Sequence, residues 1–222
     1  MRFRWSRAVA EAVKSFRVTR DSAGRWHVAF AAIPEPIPTP GTGEVVGVDR
    51  GVAVSAALST GDLLGAPTLR DTEKARLLRL LRKLARAKRG SNGRGEVKAA
   101  IARLKARETD RRKDWIEKTS TDLARRFDMI AVEDLKISNM TRSARGTIDA
   151  PGKNVRQKAG LNRGILVNGW GLLVERLEHK APGRVQKINP RYTSQTCNAC
   201  KHVARESRES CEDGRVPLRA LA

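Results

Sequence analysis

Residues 44–65 read EVVGVDRGVAVSAALSTGDLLG, and the way this stretch folds decides the architecture of the chain. An apolar run from Val45 to Val48 ends at Asp49, a second runs from Val52 to Leu58, and Ser59-Thr60-Gly61-Asp62 turns into a third. Short apolar runs punctuated by turn residues predict three consecutive antiparallel strands. A carboxylate that closes a buried strand is costly unless a cation compensates it, which singles out Asp49. The same reasoning singles out Glu133, which closes the apolar run of FDMIAVEDL at 127–135. Either acid alone reads as the start of a turn.

Together, brought side by side by adjacent strands, such carboxylates are what a divalent-metal nuclease needs to hold Mg²⁺ against a phosphodiester. With a three-strand meander on a strongly basic chain, they predict an α/β fold of the ribonuclease-H-like type. That fold gathers acids from its first strand, its fourth strand and a C-terminal helix. The third contributor is missing here, because Asp213 sits in the turn-like CEDGRVP.

Working outward, residues 16–33 alternate apolar and polar on both sides of Asp21-Ser22-Ala23-Gly24 and predict a β-hairpin. PEPIPTPGTG at 34–43 can hold neither a helix nor a central strand and marks a boundary. From Asp71 the period becomes helical, with Leu77, Leu78, Leu81, Leu84 and Ala85 on one face. RGSNGRG at 89–95 interrupts it, and a second helical run carries Val97, Ile101, Leu104, Trp115 and Leu123, so a long antiparallel helical hairpin is expected at about 71–126. Residues 138–164 read as an irregular segment, 165–180 as a helix with Leu166, Trp170, Leu173, Val174 and Leu177 on its apolar stripe, and RVQKINP at 184–190 as a strand.

Lys and Arg number 45 against 24 Asp and Glu, a formal net charge of +21 with a pI near 11.1. Such a field favours a polyanionic partner, nucleic acid foremost. Residues 70–113 alone hold 17 Lys/Arg and 5 Asp/Glu. A charge run is commonly a solvated helix face, but this one is one-signed rather than laced with salt bridges, which favours a phosphate-tracking surface. Arg79, Arg82, Lys83, Arg86, Lys88 and Arg89 are its candidate contacts. No apolar run is long enough to span a membrane and no signal-peptide pattern opens the chain, so a soluble protein of the prokaryotic cytoplasm, associated with the nucleoid, is expected. The cysteines do not form a disulfide framework. Cys197 and Cys200 are spaced as zinc ligands, yet only Cys211 follows, and no second C-x-x-C completes a tetrahedral site. His202 and Cys211 could complete an irregular half site; His27 and His179 read as structural or surface residues.

VVGVDRGVAVSAALSTGD (45–62), LARAKRGSNGR (84–94), RRKDWIEKTSTDLARRFDMIAVEDLKISNM (111–140), DAPGKNVRQKAGLNRGIL (149–166) and YTSQTCNACKHV (192–203) resemble, block by ordered block, the TnpB or OrfB-type proteins of bacterial insertion sequences. That family is long described as transposases and is related to type V CRISPR effectors. The resemblance implies a RuvC-type nuclease domain, a partial oligonucleotide-binding barrel called the wedge, a guide RNA, and metal-dependent cleavage of DNA. It maps Asp49 onto the first RuvC acid, Glu133 onto the second, and Cys197 and Cys200 onto the first half of a zinc ribbon. Lys153, Asn154 and Lys158 fall in a Lys/Asn-rich block that would touch nucleic acid. By the resemblance, residues 1–40 are a wedge remnant and linker, 41–190 the nuclease domain with its helical hairpin, and 191–222 a partial zinc ribbon with an aberrant tail.

The departures are the absent recognition lobe, the glycine replaced by Lys201, and the lost second C-x-x-C and third acid, a loss a frameshift near Ser210 would explain. The expectation is therefore a truncated copy with impaired cleavage and weakened Mg²⁺ and Zn²⁺ sites. The alternative is a non-catalytic remnant that still binds nucleic acid.

Overall fold

The computed structural model describes residues 9, 13–32 and 34–190. The chain divides into two compact units, one formed by residues 1–35 and 67–113, the other by 36–66 and 114–222.

In the first unit, β1 (Ser15–Arg20) and β2 (Trp26–Ala31) pair antiparallel, as the alternation predicts. Asp21 shapes the turn: its Oδ1 accepts from the backbone of Ala23 and of Arg25, each at 2.9 Å. Gly24 supplies the left-handed conformation at φ 82°. The helical hairpin also forms, as α1 (Asp71–Arg86) and the first part of α2 (Asn92–Arg126). Glu73 reaches back to the Arg70 N–H at 3.0 Å and holds the guanidinium of Arg111 on α2 at 2.6 and 2.9 Å. At the other end the Arg94 guanidinium bonds the Leu84 and Ala87 carbonyls at 2.6 and 3.0 Å, closing the α1 terminus.

The apolar stripe of α1 is narrower than the sequence suggests. Leu77, Leu80 and Leu84 are half-buried, whereas Leu78 and Leu81 stand 50% and 46% exposed, because the 3.6-residue period sets them on the neighbouring line. No residue of α1 is fully buried.

The second unit is built on a five-stranded mixed sheet: β3 (Val45–Asp49), β4 (Ala56–Leu58), β5 (Leu63–Leu64), β6 (Met129–Glu133) and β7 (Val185–Ile188), in the order β5-β4-β3-β6-β7. The three-strand meander is antiparallel as expected, but its middle strand is only Ala56–Leu58, shorter than the predicted Val52–Leu58, because residues 52–55 bend and the Gly51 N–H turns to the Val54 carbonyl at 3.0 Å; β3, β6 and β7 run parallel. One face carries Val46, Val48, Leu58, Ile130 and Val132, all buried. They pack with Ile116, Leu123 and Phe127 at the end of α2 and with Leu173, Val174 and Leu177 of α5 (Trp170–Lys180). Burial of such aliphatic side chains, about 1.5–3 kcal/mol each, is the main force holding this layer together.

Two expectations are corrected here. The predicted helix over 165–180 is two helices, α4 (Val155–Asn168) and α5, broken at Gly169, which is left-handed at φ 69°. Asn168 accounts for the break: buried, it donates to the Val52 carbonyl at 3.1 Å and the Gly164 carbonyl at 2.9 Å and accepts from the Ser55 hydroxyl, so the chain must turn after it. Nor is 138–164 wholly irregular, since most of α3 (Ile137–Met140) and much of α4 lie within it. Between them residues 144–152 close into a loop through a Gly146–Pro151 bridge, where a side chain on Gly152 would overlap the Ala144 carbonyl. No described helix is long and apolar enough to cross a membrane.

Candidate functional site

Asp49 and Glu133 end the central parallel strands β3 and β6. The register pairs Val46 with Ile130 and Val48 with Val132, so the two acids stand one step further along, level with each other. Neighbouring strands lie about 4.8 Å apart and side chains alternate between faces, so both carboxylates leave on the same face, opposite the apolar layer. Asp49 is exposed and Glu133 half-buried. Asp134 follows just past the end of β6 and turns to Lys136, at 2.7 Å, whose hydrogen bond holds its carboxyl below the usual carboxylate range. As hard oxygen donors at an open strand end, Asp49 and Glu133 suit Mg²⁺. Among the described residues no group of three or more His, Cys, Asp and Glu gathers to hold a metal.

The residue the sequence reading passed over is Arg50. It is 6% exposed, inside a corner where three elements meet. Its guanidinium donates to the Glu133 carbonyl and, at 3.3 Å, to the Trp170 carbonyl at the start of α5. Burial pushes its pKa down, and the nearby Glu133, Asp49 and Asp134 carboxylates oppose that. A cavity of about 160 Å³ beside it is lined by Arg50, Glu133, Asp134, Glu175, Glu178 and Lys187, the last paired with Glu178 at 2.6 Å. A signal was present in the sequence: Arg50 continues the Val46-Val48 parity, which points it to the buried face.

The predicted cationic surface lies in the first unit. Arg79, Arg82, Lys83, Arg86, Lys88 and Arg89 are all exposed, and none makes an ion pair among the described residues. Arg79, Arg82, Lys83, Arg86 and, just beyond the helix, Arg89 recur at intervals of three and four, a ridge along α1 with about 5.4 Å per turn. Where the hairpin turns, Arg89, Ser91, Arg94 and Lys98 border a depression of about 610 Å³.

The second predicted cluster is divided. Lys153 and Asn154 are exposed ahead of α4, with Asn154 left-handed at φ 54°, but Lys158 donates to the Met140 carbonyl at 2.6 Å and secures the end of α3. Cys197, Cys200, His202, Cys211 and Asp213 lie outside the described residues. His27 bonds Asp21 at 2.9 Å on the exposed hairpin.

Comparison with known proteins places these features in context. The OrfB model described as "Probable transposase" matches residues 27–144, just over half of the chain, and the "Cas12f1-like, TNB domain" model matches 170–216. A protein of Escherichia coli strain K12 with the provisional name RNA-guided DNA endonuclease InsQ is 39% identical over 214 residues, 95% of this chain and 53% of its own length. A Streptomyces pristinaespiralis protein, provisionally named an RNA-guided DNA endonuclease, is 32% identical over 206 residues, 90% of this chain and 48% of its own. The chain thus spans about half the length of the curated relatives it matches. A solved Cas12f1–sgRNA–target DNA complex aligns over 87% of this chain and 46% of its own at 18% identity, with a TM-score of 0.36, too loose a likeness to carry an argument.

Proposed function

The chain belongs to the OrfB family of insertion-sequence transposases, and from that premise we propose that it is the nuclease portion of an RNA-guided DNA endonuclease with a ribonuclease-H-like fold. The carrying observation is the level placement of Asp49 and Glu133 at the ends of adjacent parallel strands. In this reading both carboxylates bind Mg²⁺. Bound there, the ion would stabilise charge on a phosphodiester and activate a water. The α1 ridge grips phosphates of guide RNA or DNA without reading sequence, and base pairing with the guide selects the target. Cys197 and Cys200 hold Zn²⁺ in the segment matched by the TNB-domain model, a reading tested by zinc content in the C197S/C200S variant.

One observation favours a second reading, binding without cleavage: the exposed cations of the α1 ridge can track phosphates with no metal at all. Purified chain, with the RNA that accompanies it, is incubated with DNA and Mg²⁺. Nicking lost in Asp49→Ala and Glu133→Ala supports the nuclease. Salt-sensitive binding with no nicking, unchanged by either substitution, supports the second reading.

A further inference from the structure

Where the Asp49 and Glu133 side chains leave the sheet is set by the strand ends that carry them. We propose that Arg50 is the positioning residue of this pair, a role that rests on reading Asp49 and Glu133 as metal ligands. Arg50 follows Asp49 directly and leaves β3 on the opposite face, so its guanidinium grips backbone behind the pair. One arm of the fork takes the Glu133 carbonyl and the other the Trp170 carbonyl at 3.3 Å. The Glu133 carbonyl also accepts the Leu135 N–H at 3.0 Å, and the Asp134 N–H donates to Ile188 on β7 at 2.7 Å. The end of β6 is thereby held from β3, β7 and α5 at once, which fixes where the Glu133 side chain leaves the sheet.

The sign of the charge separates this role from ordinary stabilisation. A cation this close to the pair repels a bound metal ion, so electrostatics alone predicts that removing it tightens metal binding. Positioning predicts the reverse. A lysine keeps the charge but lacks the planar fork that spans two carbonyls.

The test is a Mn²⁺ titration of the full chain, followed by the electron paramagnetic resonance of free Mn²⁺. Asp49→Ala defines the component of binding that passes through Asp49. Arg50→Gln and Arg50→Lys are then compared, with thermal melts to establish folding. Positioning predicts that both weaken the Asp49-dependent component by about 10-fold or more, the scale for residues that orient metal ligands. An Asp49-dependent component that is unchanged or tighter in the folded variants overturns the proposal. Should Arg50→Gln fail to fold, Arg50→Lys decides by the same criterion. Absence of any Asp49-dependent component in the unsubstituted chain overturns the carboxylate reading itself and this role with it, a result distinguishable from intact binding indifferent to Arg50.

Discussion

The cations along α1 and those that hold the sheet of the second unit differ in what they touch. On α1, Arg79, Arg82, Lys83 and Arg86 face solvent with no acid partner among the described residues. In the second unit, Arg184 and Lys180 turn inward. Arg184 caps the end of α2 through the Ala124 and Phe127 carbonyls, at 3.1 and 2.8 Å, and holds the Ile37 carbonyl at 2.8 Å. Lys180 bonds the Glu117 carbonyl, the Ser120 hydroxyl and the Thr121 hydroxyl at 2.7–2.9 Å. A net charge of +21 is therefore not one property of the molecule. Part of it is left free for a polyanion, and part ties the sheet to its helices.

The contrast can be broken most forcefully through the apolar layers beneath it. Leu177→Ala, in the buried core, should lower unfolding free energy by about 3 kcal/mol, while Leu81→Ala on exposed α1 should change it by less than about 0.5 kcal/mol. Urea denaturation reads both, and similar losses would erase the distinction.

Next come the cations themselves. Arg184→Met strands several carbonyls and should cost about 2 kcal/mol of stability, with little effect on nucleic-acid affinity. Neutralising Arg79, Arg82 and Arg86 to Gln together should do the reverse. Stability should hold within about 0.5 kcal/mol, and the slope of log affinity against log salt should flatten by about 2–3. An unaltered slope in that variant would remove the ridge from the account.

The smallest effect belongs to Glu73. The Arg111 guanidinium, with the Arg70 N–H, pushes its carboxyl down to about 2. A depressed folded-state value stabilises the fold above the ordinary carboxylate pKa, and that contribution is lost as pH falls from about 4.5 towards 2. Melts across that window should show the hairpin weakening on acidification, and Glu73→Gln should flatten the dependence. An equally steep decline in the variant would assign the acid sensitivity elsewhere.

Much of this was legible from residues alone. Runs closed by Asp49 and Glu133, the turn at Asp21–Gly24 and the interruption at 89–95 are local signals, so the strands and both hairpins followed from them. The break at Gly169 did not. The apolar stripe continues through it, and the deciding hydrogen bonds of Asn168 reach residues more than a hundred positions away. Leu78 and Leu81 misled because a leucine-rich helix shows more apolar lines than it has neighbours to cover. Arg50 was hidden by its neighbour: in GVDRG an arginine after a strand-ending acid reads as a solvated turn residue. Only the approach of α5 and β6 supplies the carbonyls that make its burial tolerable.

The central claim is that Asp49 and Glu133 jointly hold a divalent cation, and metal-directed cleavage tests it without requiring enzymatic activity. Fe²⁺ substituted into the chain and driven with ascorbate and peroxide should cut the polypeptide near residues 48–51 and 132–135, with both cuts lost in Asp49→Ala. Cuts at one of these strand ends only, or at neither, would contradict the account.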